Sequence, residues 1–263
     1  MGYVTSDVHG HRAELLAALA SAGLVDAAGE WSGGDETLWF LGDFLDRGPD
    51  GVGVIDSVMR MQRSAETSGG AVRALLGNHE VLALGMHKFG DAEVPTPYGR
   101  GPSFAESWLI NGGQADDQER LTDEHLRWLR RLPAMARLAD DLLMHSDSLE
   151  YLAWGDDVEA VNARVAAVLG SDDLAAWWEL WARLTTRHAF LGLDGSAGAA
   201  HMLSTYGGRR IVHGHSIIGD MRGVESRLTT GPYEYADGLA LAVDGGIYDG
   251  GPCLVVDLAT TAT

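Results

Sequence analysis

The sequence predicts an α/β fold, a β-sandwich core flanked by helices, with helical insertions at about 80–135 and 150–208. Three observations carry this. Short apolar runs alternate with amphipathic stretches, the runs end in clusters of Gly, Asp, Asn or His, and strand-like runs return at the end of the chain. Tyr3–Ser6 is a short β-prone run entering a polar loop. From Arg12 to Ala22, Leu15, Leu16 and Leu19 share one helical face, and Gly23 offers a stop. Thr37–Leu41 reads as a buried strand, followed by a Gly-rich loop and a helix from about Val52 to Arg63. Ala71–Leu76 is a further strand, running into Gly77-Asn78-His79-Glu80. Such α/β proteins place their sites at strand C-terminal ends.

The middle changes character. Leu121–Leu132 is helical, with Thr122 as N-cap and Pro133 as stop. Leu142–His145 is strand-like, and Asp156–Arg187 forms two helices carrying Trp177, Trp178 and Trp181. Strands return at Arg210–His213, Leu239–Val243 and Cys253–Leu258. No repeat, low-complexity tail or linker divides the chain, so residues 1–263 are expected to form one domain.

Composition narrows the function. The chain is 46% hydrophobic and 22% charged, ordinary globular proportions that exclude wholesale disorder. Its 38 acidic and 19 basic residues give a net charge of −19, which repels nucleic-acid backbones and anionic membranes. Neither partner is expected, and any handling of phosphate requires locally concentrated positive charge. The single cysteine, Cys253, excludes an intramolecular disulfide and a Cys-based zinc cluster. The first ten residues have neither a basic nor an apolar leader region, so a cytoplasmic protein is expected.

Four clusters stand out, each beginning at or just past an apolar run: Asp7-Val8-His9-Gly10-His11, Gly42-Asp43-Phe44-Leu45-Asp46-Arg47-Gly48, Gly77-Asn78-His79-Glu80 and His213-Gly214-His215. His145 follows a further run on its own. Asp7 and His9, two apart at a strand end, are either a turn aspartate with an incidental histidine or a ligand pair suited to Mn, Fe or Zn. Asp43 is either part of an Asp-rich turn or a carboxylate bridging two cations. Asn78 either caps a helix or supplies a neutral oxygen, and His79 beside it suits proton transfer better than ligation. His213 and His215 are polar core groups or ligands, while His11 and His188 read as incidental. Independent turns do not place Asp, His, Asp, Asn and His each behind a separate strand, whereas a dinuclear site on a common rim does.

Asp7-x-His9-Gly10, Gly42-Asp43-x-x-Asp46-Arg47-Gly48, Gly77-Asn78-His79-Glu80 and Gly214-His215 resemble the motifs of the calcineurin-like metallophosphoesterases, in particular the bacterial members of the phosphoprotein phosphatase branch and the symmetrical diadenosine tetraphosphate hydrolases. The tail Val243–Leu258 also looks like the family's closing strands. The resemblance implies a four-layer α-β-β-α sandwich. It implies a first metal on Asp7, His9 and bridging Asp43, and a second on Asp43, Asn78, His145 and His215, with manganese favoured over iron or zinc. It further implies attack by a hydroxide held between the metals, His79 as general acid oriented by Asp46, and Arg47 and Arg183 clamping phosphate. His213 would support the ligands from behind. One departure is Ser146-Asp147 after His145, where the family usually has two glycines. The added carboxylate either approaches the site or caps a turn, and the turn is expected.

The expected activity is hydrolysis of phosphate monoesters by a protein serine/threonine phosphatase-like enzyme, on a phosphoprotein or a small phosphoester. A dinucleoside polyphosphate hydrolase is the alternative, and a non-catalytic metal-binding module is disfavoured because every core position is present. The loop Lys88–Pro102 and the Trp-bearing helices are expected to set specificity.

Overall fold

The computed structural model describes residues 2–96 and 99–261. Its elements run β1 (Gly2–Thr5), α1 (Arg12–Ser21), β2 (Thr37–Phe40), α2 (Gly51–Ser68), β3 (Ala71–Ala74) and α3 (Asn78–Phe89). There follow α4 (Phe104–Ile110), α5 (Ala115–Arg120), α6 (Asp123–Leu129), β4 (Met135–Leu138), β5 (Asp141–Met144), α7 (Val158–Leu169), α8 (Leu174–Thr185) and α9 (Gly195–Tyr206). The chain closes with β6 (Arg210–His213), α10 (Ile218–Arg222), β7 (Tyr233–Tyr235), β8 (Ala240–Ala242) and β9 (Val256–Asp257).

Two sheets form, ordered β3-β2-β1-β9 and β4-β5-β6-β8-β7. In each, the central pairs are parallel and the antiparallel partners lie at the edges. The two-residue period of a strand explains the layering. Along β2, Leu38 and Phe40 join the large cluster shared with the helices, while Trp39 joins a second cluster with Val4, Leu143, Val212 and Leu241. Along β5, Leu142 and Met144 face the helices and Leu143 faces the other sheet. Each sheet therefore buries one face on its partner and one under helices, the expected four-layer sandwich.

The helical insertions fall at α3–α6 and α7–α9. Thr122 caps α6, accepting from the His125 backbone N–H as expected. Three features differ from expectation. Helix α2 runs on to Ser68, because its polar last turn lies on the solvent side and only Gly69, at φ +81°, ends it. The edge strands β4 and β7 are not foreseen, since Arg137 and Glu234 interrupt their apolar pattern. The closing run enters the ladder only at Val256–Asp257, with Leu258 N–H donating to Gly2 O at 3.0 Å just beyond it.

Candidate metal centre

The C-terminal ends of β1, β2, β3, β5 and β6 meet at one edge of the sandwich, and the polar clusters meet with them. Backbone pairing continues past the strands, with Asp7 N–H donating to Gly42 O at 3.1 Å and His9 N–H to Asp43 O at 2.9 Å. The side chains converge through left-handed backbone, not through strand alternation. Asp7, His9, Asp43, Asp46, Arg47 and His215 all have φ between +45° and +68°. Only ten non-glycine residues among those described have positive φ, so this costly conformation is concentrated at one place. The loops also need to touch. A Cβ on Gly42 would lie 2.7 Å from the Gly77 backbone, and one on Gly214 would lie 2.2 Å from Asp7 Oδ2.

Two groups of potential ligand atoms result, each within 4.8 Å: Asp7, Asp43, His145 and His215 in one, and His9, Asp43 and His79 in the other. Asp43 belongs to both. Its Oδ1 lies 3.4 Å from His145 Nε2 and its Oδ2 lies 3.6 Å from His9 Nε2. Asn78 Oδ1 is 3.0 Å from His145 Nε2, which places the amide oxygen in the first group. Asp7, expected to pair with His9, falls in the group with His145 and His215, and its Oδ1 lies 4.0 Å from His9 Nε2. All six residues expected to bind metal are buried together.

The histidine tautomers follow from their partners, because a carbonyl can only accept. His9 Nδ1–H donates to Leu45 O at 2.9 Å and His145 Nδ1–H to Leu41 O at 2.8 Å, leaving both Nε2 lone pairs directed at Asp43. His215 Nε2–H donates to Thr185 O at 3.0 Å, leaving Nδ1 free. Backbone acceptors of this kind orient imidazoles at metal sites. Burial holds His9, His79 and His215 well below the ordinary histidine pKa, assisted by charge on neighbouring rings and arginines. Burial and then Asp7 push Asp43 well above the usual carboxylate range, and the same two causes raise Asp244. Neutral imidazoles beside crowded carboxylates form a donor set suited to cations. Borderline divalent metals fit that set, since they take nitrogen and oxygen together and offset the negative charge.

His79 belongs to the second group as well as to a proton-transfer pair: its Nδ1–H donates to Asp46 Oδ2 at 2.8 Å, and Arg47 Nη2 donates to its Nε2 at 3.2 Å. Burial pushes Asp46 up to about 7. Arg47 also lies over the Tyr248 ring at 3.9 Å. A cleft of about 480 Å3 opens here, lined by His11, Arg47, Ile110, Asn111, Gly112, Gln114 and Tyr248. No carboxylate lines it, and Arg47 is its charged side chain, an arrangement that suits an anion. A larger cavity, about 630 Å3, lies at the far end of the strands around Gly2, Thr37 and Arg210, away from every ligand residue.

Some expectations change. Arg183 is engaged elsewhere: it pairs with Glu179 one turn back at 2.7 Å and with Glu150, which together occupy its guanidinium. Helix α8 ends at Thr185, and the charge of Arg187, just beyond it, reaches His79, His215 and Tyr248, the first and last of them after that of Arg47. The Trp-bearing helix packs inward, with Trp177 edge-on to Phe89 and Trp178 edge-on to Phe104. The insertion lines the cleft through the turn after α4, not through Lys88–Pro102, of which residues 97 and 98 lie outside the described residues. Asp147 is fully buried but belongs to neither ligand group. It accepts from the His188 backbone at 3.0 Å, from Ser216 Oγ and from Tyr235 Oη at 3.3 Å, tying three loops together. His213 stands behind the ligands, with Tyr235 Oη 2.8 Å from its Nε2.

Several contributors went unassigned in the sequence. Glu80 accepts backbone N–H groups from Asp43, Phe44 and Gly77, fastening the Asp43 loop to the start of α3. Trp108 Nε1–H donates to Asp46 Oδ1 at 2.8 Å. Asp244 follows β8 as Asp7 follows β1, and that shared position is a signal the sequence does hold.

The comparisons with known proteins agree with this architecture. A family model for calcineurin-like phosphoesterases matches residues 3–219, most of the chain. The chain belongs to that family. Among curated relatives it is 32% identical to a symmetrical bis(5'-nucleosyl)-tetraphosphatase of Klebsiella pneumoniae over 171 residues, 65% of this chain and 51% of that one. It is 34% identical to Shewanella-like protein phosphatase 2 of Arabidopsis thaliana over 78 residues, 30% of this chain and 20% of that one. The chain thus spans about half or less of the length of these relatives. A cold-active protein-tyrosine phosphatase of a psychrophilic Shewanella superposes with a TM-score of 0.73, covering 97% of this chain and 73% of that chain at 23% identity, a likeness of fold. In this calcineurin-like phosphoesterase, the motif-bearing loops are the ones that build the buried Asp/His cluster.

Proposed function

We propose that the chain is a dinuclear metal-dependent phosphoesterase that hydrolyses phosphate monoesters, with His79 delivering the proton to the leaving group. One observation carries the reading: a single carboxylate, Asp43, is common to two buried ligand groups that lie against a His–Asp pair. Asp7, His9 and Asp43 would hold one metal, and Asp43, Asn78, His145 and His215 the other, with manganese favoured because the donors are mainly oxygen and imidazole. When bound, the metals would act as Lewis acids on the phosphoryl group and lower the pKa of water.

The chain's own residues supply the rest. Arg47, which lines the cleft, and Arg187, whose charge reaches His79, would bind the phosphoryl oxygens and stabilise charge that builds on them as the leaving bond breaks. At rest, the lone pair of His79 Nε2 is held by Arg47 and the Nδ1 proton by Asp46. Substrate that engages Arg47 frees Nε2. Nε2, once free, would take up a proton from solvent while Nδ1–H stays on Asp46, and that Nε2 proton would pass to the leaving oxygen, returning the ring to its neutral form.

Substrates of the protein phosphoserine or phosphothreonine type fit a cleft that is open, uncharged by carboxylates and partly apolar at Ile110. Dinucleoside tetraphosphates form a second reading, favoured by the 32% identity to the tetraphosphatase. Membership of the phosphoprotein phosphatase branch, a single-domain chain and a cytoplasmic setting complete the proposal. The first is supported by the motif set; among the described residues no helix is long and apolar enough to cross a membrane.

The test compares β-glycerophosphate with 2,4-dinitrophenyl phosphate, with and without Mn2+. Metal-dependent turnover of both is expected, and His79→Asn should slow β-glycerophosphate roughly 10²-fold or more while sparing the better leaving group. Metal-independent turnover, or equal loss on both substrates, would overturn the mechanism.

A further inference from the structure

We propose that Trp108 is a positioning residue for the proton donor: its indole N–H locks the Asp46 carboxylate in the orientation that presents His79 to the leaving group. This rests on the reading of His79 as proton donor. Asp46 is buried and uses one oxygen for each partner, Oδ2 for His79 Nδ1 and Oδ1 for Trp108 Nε1, both at 2.8 Å. Its backbone lies in the left-handed region at φ +68°. Without the indole donor, Oδ1 would be a buried acceptor with no protein partner among the described residues. The carboxylate would then gain by turning away from His79.

The way Trp108 is delivered supports the assignment. It lies on α4, and the turn that follows folds back on it, so that a Cβ on Gly113 would lie 2.1 Å from indole Cε2. The same turn holds the neighbouring residue, because Arg47 N–H donates to Gly112 O at 2.7 Å. One short segment of the insertion thus fixes Asp46 through a side chain and Arg47 through its backbone, linking the cleft wall at Ile110–Gln114 to proton delivery. The buried, largely apolar surroundings could be filled by phenylalanine. Only the indole adds a donor at this point.

The experiment is steady-state turnover by the Mn2+-loaded protein on β-glycerophosphate and 2,4-dinitrophenyl phosphate, for Trp108→Phe, Gly113→Ala, Asp46→Asn, His79→Asn and the double variant Trp108→Phe/Asp46→Asn. Trp108→Phe should lower kcat on β-glycerophosphate roughly tenfold, the lower end for loss of a hydrogen bond to a charged group, with KM little changed. Turnover of 2,4-dinitrophenyl phosphate should change far less. Gly113→Ala, which displaces the ring without removing a hydrogen-bonding group, should show the same split. The double variant should be no slower than Asp46→Asn alone, because the indole acts through that carboxylate. Equal losses on both substrates, or additive losses in the double variant, would mean that Trp108 only packs and would overturn the inference while leaving His79 in its role. If His79→Asn shows no split, the reading beneath falls and the inference falls with it.

Discussion

Replacing Glu80 tests the scaffold of the metal centre without touching a ligand. Glu80 is fully buried, and its two oxygens accept three backbone N–H groups: Asp43 at 2.8 Å and Gly77 at 2.9 Å on Oε2, and Phe44 at 2.8 Å on Oε1. Glutamine keeps one accepting oxygen, which can serve Asp43 and Gly77, but turns an amide N–H2 towards the Phe44 donor. One hydrogen bond is lost and one buried donor is stranded, at about 1–3 kcal/mol. At about 2–4 °C per kcal/mol for a chain of this size, Glu80→Gln should melt roughly 2–12 °C lower. Alanine strands all three donors at about 3–9 kcal/mol, comparable with a total stability of about 5–15 kcal/mol, so Glu80→Ala should not fold stably. Thermal melts of Mn2+-loaded protein, with metal content measured after gel filtration, read both effects. Because one of the bonds between the Asp43 loop and the start of α3 is lost, Glu80→Gln should also retain less metal. A Glu80→Gln protein with unchanged melting and metal content would refute the claim that this side chain fastens the site.

Three further outcomes are expected. Asp43→Asn should lower occupancy at both metal positions, read by metal analysis, whereas a defect confined to one would refute a shared carboxylate. Arg187→Ala should raise KM and weaken inhibition by inorganic phosphate about tenfold or more, the cost of losing a charge-assisted bond, and Arg183→Ala should change both less; the reverse order would return the anion-binding role to Arg183. Metal-free protein should lose stability as the pH rises from about 4 to 8. Burial raises Asp46 to about 7 and Glu80 to about 8, so the native state holds protons there that the unfolded chain has released. Chemical denaturation across that range, showing stability that climbs instead, would contradict the buried-acid account, and added Mn2+ should reverse the loss.

The proposed ligands were legible because the chain repeats one local pattern, an apolar strand followed by Asp, Asn or His. Asp7, Asp43, Asn78, His145 and His215 all follow it, and so does the unassigned Asp244. Residues that act across long distances were not legible. Trp108 sits in an ordinary-looking amphipathic helix, and only the packing of that helix brings its indole to Asp46, 62 positions away. Arg183 and Arg187 lie on either side of a helix end that nothing in Arg183-Leu184-Thr185-Thr186-Arg187 marks as a stop. The edge strands β4 and β7 were hidden for a related reason: one polar residue in a three- or four-residue run removes the pattern, and their pairing comes from neighbours far along the chain.

The most direct test of the shared-carboxylate centre is anomalous diffraction at the manganese edge from crystals grown with Mn2+. The arrangement of side chains predicts two peaks flanking the Asp43 carboxylate, one beside His9 and the other beside Asn78, His145 and His215. A single peak, or a pair located away from Asp43, would contradict it.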